Sequence, residues 1–367
     1  VLLRSLTLQN FRNYRKETVG FHKRFNLITG ENGQGKTNLL EAIYMLATTR
    51  PFSQLRLNEV IAFGEAQSRI KGEFETETGL NEVYILLTHD AKTVRLNGKV
   101  VYDVSKIAKR LSVVTFLPQD TIIVTGAPSE RRRYLDANIS RFEPAHVADL
   151  RQYQRAISQR NAIMQRSPSA LDSIGVWDEK ISEVGARIIK RRLKLLESLE
   201  PLLESIYHQV SQKETKITFD YKPSVSIEGD IEANLRQALA DKLEHDKRMG
   251  HTTVGPHRDQ PELALNSKSA ATFASQGEVK TVAIALRSAE IELTKRILGR
   301  TPIVLLDDIS SELDERRKGY LYGLINEVSG QIFVTATSLK EALFSGEKRV
   351  FVIEAGRARI LSMDNAD

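Results

Sequence analysis

Gly30-Glu31-Asn32-Gly33-Gln34-Gly35-Lys36-Thr37 satisfies the pattern G-x-x-x-x-G-K-[ST] at every position, and that pattern serves to hold a nucleoside triphosphate. Its glycines let successive backbone N–H groups curl around phosphate oxygens, and the start of a following helix adds favourable dipole potential. Lys36 is expected to reach the β- and γ-phosphates and Thr37 to offer its hydroxyl to Mg²⁺, with Gly30 to Asn38 as the nucleotide-contacting stretch. No Asn-Lys-x-Asp tetrapeptide for reading guanine follows, which favours ATP over GTP. Far along the chain, Ile303-Val304-Leu305-Leu306-Asp307-Asp308 puts two acids at the end of an apolar run. Asp307 is expected to hold the metal, and Asp308 to orient or deprotonate an attacking water. The chemistry is in-line attack on the γ-phosphoryl, with electrostatic positioning carrying most of the catalysis. A chance loop match and a pair of solvent-facing acids capping a strand are the bland alternatives.

Such a loop needs a buried strand before it and a helix after it. Phe25-Asn26-Leu27-Ile28-Thr29 reads as the strand and Asn38 to Leu46 as the helix. Leu2 to Leu8 reads as an edge-like strand. From Glu65 to Leu96 polar and apolar stretches alternate, and Asn97-Gly98 between Val94-Arg95-Leu96 and Val100-Val101-Tyr102 is a strong hairpin signal, so antiparallel sheet is expected beside the nucleotide core. After Pro128 the texture changes. Glu130 to Gln165 and Trp177 to Gln212 read as long helices around a turn-like break at Arg166-Ser167-Pro168-Ser169, an antiparallel helix pair. From Thr301 strands return at Pro302–Leu306, Gln331–Ala336 and Arg349–Ile353, separated by helical segments at about 274–299 and 315–329. The expected division is a first head segment over 1–124, an inserted and mainly helical lobe over 125–265, and a second head segment over 266–367.

Composition sets wider bounds. The 367 residues hold one large or two moderate cores, and 41% hydrophobic with 27% charged residues fits a folded soluble chain. Lys plus Arg number 53 against 47 Asp plus Glu, which permits a phosphate-backbone partner where positive charge is localised without proving one. The absence of Cys excludes disulfides and Cys-ligated metal sites. The opening Val1-Leu2-Leu3-Arg4-Ser5-Leu6 is unlike a secretory segment, and no apolar run approaches the roughly 18–20 residues that span a bilayer, so a cytoplasmic protein without a membrane partner is expected.

Two later stretches carry a resemblance. Thr272-Phe273-Ala274-Ser275-Gln276-Gly277-Glu278-Val279-Lys280 precedes Asp307, and Ser311-Glu312-Leu313-Asp314 follows Asp308. Together they resemble the signature motif and D-loop of ABC-type ATPases, in the order used by the SMC/Rad50 branch. Leu8-Gln9-Asn10-Phe11-Arg12-Asn13-Tyr14, Phe116-Leu117-Pro118-Gln119-Asp120, the Gly126–Asp136 run and Gly255-Pro256-His257-Arg258-Asp259 extend the likeness over nearly the whole chain, and it is closest to the RecF family. The resemblance implies an α/β ABC-type ATPase head (a P-loop NTPase fold) with a mixed sheet. It also implies ATP and Mg²⁺ as ligands and a homodimer formed on ATP. The implied partners are double-stranded DNA at gaps or junctions, RecO-like and RecR-like proteins, and functionally RecA, in the cytoplasm and nucleoid-associated. Slow hydrolysis would release the dimer. Residue by residue, it implies that Ser275 and Gly277 face the γ-phosphate held by the other subunit's Lys36 and that Asp314 crosses the seam. Gln119 takes the metal- or water-sensing position, with Asp120 the alternative, and Arg12 and Asn13 contact base or phosphate.

Gln276 and Glu278 replace the Gly and Gln common in transporters, a departure the resemblance implies is usual for RecF-like chains. Two other departures from the pattern bear on rate. Thr335-Ala336-Thr337 stands where a switch histidine is common, and Asp308 where many relatives carry Glu, so hydrolysis is expected to be slow and DNA-dependent. Arg131-Arg132-Arg133 and the Arg187–Lys194 run are candidates for DNA phosphate contact, against solvated faces or internal ion pairs. His257 is expected to have a structural or interdomain role, against direct phosphate or DNA contact, and Trp177 to be a packing anchor, against a base-stacking platform. A membrane-transporter subunit and a structural clamp with little turnover are the competing functions.

Overall fold

A computed structural model describes residues 1–52, 57–103, 105–108, 110–165, 173–308, 313–337 and 347–364. The expected break at Arg166-Ser167-Pro168-Ser169 and the residues Ser311 and Glu312 lie outside the described residues. The chain forms two compact units, one of Val1–Asp120 with Ile284–Asp367 and one of Thr121–Ala283.

The first unit opens with β1 (Leu2–Phe11), β2 (Tyr14–Gly20), β3 (Phe25–Thr29), α1 (Lys36–Thr48), β4 (Gln67–Thr76), β5 (Gly79–Thr88), β6 (Lys92–Leu96), β7 (Lys99–Val100), α2 (Ser105–Ala108) and β8 (Val113–Phe116). An antiparallel sheet runs β2-β1-β4-β5-β6-β7. Leu3, Leu6 and Leu8 of β1 and Ile70, Phe74, Val83, Ile85 and Leu87 of its neighbours alternate inward onto Leu39, Ile43 and Leu46 of α1 in one apolar core. β1 is therefore an interior strand and not the edge-like strand expected: Leu6 pairs with Val19 on one side and Gly72 on the other. Arg4 points outward and pairs with Glu75 of β4. The Asn97-Gly98 hairpin joins β6 to β7, with φ of 51° and 77° at its two central residues.

The second unit contains α3 (Thr121–Thr125), α4 (Pro128–Phe142), α5 (Ala145–Met164), α6 (Ile174–Ser211), β9 (Ile217–Lys222), α7 (Ile231–Asp241), α8 (Leu243–Met249), β10 (Gln260–Leu265), β11 (Lys268–Ser269) and α9 (Ala270–Phe273). Helices α5 and α6 are antiparallel, since ion pairs join Arg191 to Glu143, Arg187 to Asp149 and Asp178 to Arg160 in opposite order along the two helices. Tyr153, Ile157, Ile181, Ile188 and Leu235 form the centre of its core. A three-stranded antiparallel sheet, β11-β10-β9, was not expected from the sequence. That sheet and α9 place 266–283 in this unit, so its limits fall at Thr121 and Ala283 rather than at 125 and 265.

Helix α10 (Gln276–Leu298) leads back into the first unit, followed by β12 (Ile303–Asp307), α11 (Glu315–Glu327), β13 (Ile332–Ala336), β14 (Lys348–Glu354) and β15 (Arg357–Asp364). The second sheet of this unit runs β15-β14-β3-β13-β12-β8, parallel except for β15. Every residue of β3, β8, β12 and β13 is buried, as parallel strands covered on both faces require. Buried Gln331 ties the two ends of the chain: its Oε1 accepts Leu3 N–H at 2.7 Å and its Nε2 donates to the Leu3 and His22 carbonyls at 2.9 and 2.8 Å.

Candidate nucleotide site

The parallel strands end in register, with Asp307 beside Thr335 and Thr335 beside Ile28. The Gly-rich loop leaves β3 there and enters α1, at the carboxyl end of the sheet where open α/β folds bind ligands. Two glycines are required by the backbone. A Cβ on Gly30 (φ 142°) would lie 2.5 Å from the Ile353 carbonyl oxygen, and Gly35 caps α1 with φ 116°.

The loop is gripped from both sides. Asn13 Nδ2 donates to the Gln34 carbonyl at 2.7 Å, Asn38 Nδ2 donates to Asn13 Oδ1 at 2.9 Å, and the Tyr14 hydroxyl donates to the Gly35 carbonyl at 2.9 Å. From the β14–β15 turn, Ala355 N–H donates to Gln34 Oε1 at 2.7 Å and Gly356 N–H to the Gln34 carbonyl at 3.1 Å. Asn13 thus braces the loop. Arg12 spans both Glu41 carboxylate oxygens, at 2.8 and 3.1 Å, and the Glu59 carbonyl, so its guanidinium anchors α1. Neither bracing role is legible in sequence, because the partners are 21 to 47 positions away.

Lys36 is buried and donates to the Gly30 and Glu31 carbonyls at 2.6 and 3.0 Å, which fixes its ammonium inside the loop. The Thr37 hydroxyl lies 2.9 Å from both Asp307 carboxylate oxygens, joining residues 270 positions apart. Burial pushes the Asp307 carboxyl above its ordinary range, against the hydrogen bonds from Thr335 and Thr37 that favour its charge, and neighbouring Asp308 adds to the rise. A divalent cation would offset that burial. One carboxylate and one hydroxyl are hard oxygen donors of the kind Mg²⁺ takes, with phosphates and water completing its shell. Among the described residues there is no cluster of three or more His, Cys, Asp or Glu that would make a protein-only cage. Asp308 sits in the left-handed region at φ 44°, and its N–H donates to the Thr335 hydroxyl at 2.9 Å, while that hydroxyl donates to Asp307 Oδ1 at 2.8 Å.

Gln119 and Asp120 differ sharply. Asp120 is buried, accepting Leu117 N–H at 2.8 Å and Arg287 at 2.6 Å, whereas Gln119 is exposed on the turn after β8. Ser275 begins α10 in a reciprocal cap. Its hydroxyl and its N–H donate to Glu278 Oε2 at 2.9 and 3.0 Å, and Glu278 N–H returns to Ser275 Oγ at 3.3 Å. The departure at Glu278 is therefore the second arm of a capping box, and the Ser-x-x-Glu spacing could have shown it. Gly277 lies in the same first turn. Asp314 caps α11, accepting Arg317 N–H at 2.9 Å and pairing with its guanidinium. Ser275 and Asp314 are both exposed.

The two basic clusters are largely consumed within the second unit. Arg131 is buried and donates to the Gly126 and Val124 carbonyls at 2.8 and 3.2 Å and to Pro261, while Arg132 donates to the Asp259 carbonyl at 2.7 Å. Arg133 is the exposed member and pairs with Glu130. In α6, Arg187 and Arg191 share Asp149, and buried Arg192 pairs with Asp136 at 2.8 Å, leaving Lys190 and Lys194 exposed. His257 Nε2 lies 3.2 Å from the Thr252 carbonyl and Nδ1 2.8 Å from the Tyr153 hydroxyl, contacts that a neutral ring with its proton on Nε2 satisfies. Burial brings its pKa down to about 4, and its hydrogen-bond partners Tyr153 and Thr252 lie in the same unit. Trp177 packs among the apolar residues of α5 and α6.

A family model described as the RecF/RecN/SMC N terminal domain matches residues 2–360. The DNA replication and repair protein RecF of Ruminiclostridium cellulolyticum is 34% identical over 97% of this chain and 98% of its own length. RecF of Streptococcus gordonii is 35% identical over 98% and 99%. The chain belongs to the RecF family. A solved structure of the recombination mediator protein RecF with ATP, in the RecFOR pathway, matches with TM-score 0.91 at 31% identity over 98% of each chain. The Smc head domain of Pyrococcus furiosus bound to the C-terminal domain of ScpA matches with TM-score 0.56 at 16% identity, a likeness of fold. The fold is that of an α/β ABC-type ATPase head of the SMC/Rad50-like class, and family membership displaces the transporter-subunit reading. No helix among the described residues is long and apolar enough to cross a membrane.

Proposed function

We propose that this chain binds ATP with Mg²⁺ at Gly30–Asn38, dimerises on it, and associates with double-stranded DNA near single-strand gaps or junctions. There it works with RecO-like and RecR-like partners to load RecA, and slow hydrolysis releases the dimer. The observation that carries the reading is the 2.9 Å approach of the Thr37 hydroxyl to both Asp307 oxygens at the foot of a loop held open by Asn13, Gln34 and the β14–β15 turn. Lys36 exchanges the Gly30 and Glu31 carbonyls for phosphate oxygens, and the loop N–H groups bind the rest of the triphosphate. Thr37 and Asp307 would hold Mg²⁺, which when bound neutralises charge on the phosphates. Asp308 takes the proton of the attacking water and Gln119 orients that water. From a second copy, Ser275 and the N–H of Gly277 donate to the γ-phosphate, as a hydroxyl and a helix start are suited to do, and Asp314 meets the seam. No imidazole stands at Thr335-Ala336-Thr337, which supports slow, DNA-stimulated turnover.

For DNA, the outer face of the antiparallel sheet supports the reading better than the arginine runs. Lys16, Gln9 and Arg69 form one cross-strand row, and Lys71, Tyr84 and Arg95 lie in the next, with Lys71 shared by Glu73 and Glu82. Such a face touches backbone phosphates without reading bases, with binding that weakens steeply with salt. A cytoplasmic, nucleoid-associated location follows from that partner. Binding of a fluorescent ATP analogue, with sedimentation in parallel, tests the core of the proposal. Lys36→Ala is expected to lose nucleotide binding, and Asp308→Asn to keep it and prolong an ATP-bound dimer; wild-type nucleotide affinity in Lys36→Ala would sink the reading.

A further inference from the structure

We infer that Thr335 is a positioning residue for ATP hydrolysis, its single hydroxyl fixing the metal-binding carboxylate of Asp307 and the backbone that presents Asp308. The inference rests on the ATPase reading above and adds a residue to it. Strand β13 lies between β3, which delivers the phosphate loop, and β12, which delivers both acids, and fully buried Thr335 is in register with each. Its hydroxyl has two plausible acceptors, and the distances separate them. The Leu306 carbonyl at 3.5 Å is a poor partner, while Asp307 Oδ1 at 2.8 Å takes the proton. The oxygen then serves a second time, accepting Asp308 N–H at 2.9 Å. One rigid, β-branched side chain thereby sets two quantities at once. It engages Oδ1 of the Asp307 carboxylate, while Thr37 approaches both oxygens equally, so Oδ2 is the oxygen left for a cation. It also holds the turn at Asp308, whose backbone is left-handed at φ 44°, a conformation that costs a non-glycine residue energy.

Thr335→Val keeps the shape and removes both hydrogen bonds, and Thr335→Ser restores them. In Thr335→Val, kcat for ATP is expected to fall about 10- to 100-fold with KM changed less than about twofold, and Mn²⁺ affinity, read by electron paramagnetic resonance with a non-hydrolysable ATP analogue, to weaken about 10-fold. ATP affinity in EDTA stays at the wild-type value, because the loop itself is untouched. Thr335→Ser recovers both quantities to within about threefold. Thermal melting establishes that the valine variant folds; if it does not, Thr335→Ala replaces it with the same expectations. Wild-type kcat and Mn²⁺ affinity in a folded valine or alanine variant overturn the inference alone. A wild-type chain that binds no nucleotide overturns the ATPase reading and this inference with it.

Discussion

Asp307 closes a strand whose five residues are all buried, so its carboxyl rises in pKa although two hydroxyls donate to it. The same competition between burial and hydrogen bonding, with the opposite sign of charge, governs His257. Burial, reinforced by Arg258 and Arg132, lowers its pKa to about 4 against the Thr252 carbonyl, which favours the charged ring. An unfolded chain takes up this proton near pH 6.5, and the folded chain only near 4. Stability is therefore lost as pH falls from about 6.5 toward 4, by at most about 3 kcal/mol. Denaturation of wild type and His257→Gln across that range is expected to show the stability gap between them narrowing as pH falls, and parallel profiles would contradict it. Site residues were legible where a short pattern carries the chemistry, as at Lys36, Thr37 and Asp307. They were not where a residue acts through a distant partner. Thr335 read only as a missing histidine, and Arg12 and Asn13 as direct ligands, because the sequence does not show Asp307, Glu41 or Gln34 beside them.

The parallel strands β3, β12 and β13 announce themselves as short, mostly apolar runs, each leading toward a helix or a loop. β9, β10 and β11 do not: Ile217–Lys222 carries an aspartate and a lysine, and Lys268–Ser269 is two residues long. Their pairing depends on long-range contacts that a local pattern cannot encode. Helices α5 and α6 were legible as an antiparallel pair, yet the meaning of their arginines was not. Arg192 is buried against Asp136, which also accepts from His146, and it donates to the Pro256 carbonyl at 2.7 Å. Removing one member of a buried pair leaves the other uncompensated. Arg192→Leu is accordingly expected to destabilise the protein by about 3–5 kcal/mol in urea denaturation. Lys190→Ala, on the exposed face of the same helix, is expected to change stability by less than about 0.5 kcal/mol. Equal effects would mean that the cluster is a solvated face after all.

At the scale of the molecule, the chain leaves its head at Asp120, builds a separate unit and returns through α10 at Ile284, with Gln331 closing the head onto Leu3. The phosphate loop and its acids are complete within one unit, while Ser275 belongs to the other and is spent on capping its own helix. An arginine at Ser275 would break that cap along with any seam, confusing two effects. Aspartate still accepts the Glu278 N–H as a cap, although it loses the bond that Ser275 Oγ donates to the Glu278 carboxylate, and it places a negative charge where a second copy's γ-phosphate would approach. Sedimentation velocity of wild type and Ser275→Asp, each without nucleotide, with ADP and with ATP, therefore tests the central claim most directly. Wild type is expected to double in mass in ATP alone, and the Ser275→Asp chain to bind ATP yet stay monomeric. A wild type that remains monomeric in ATP, or a Ser275→Asp variant that dimerises as readily, would contradict it.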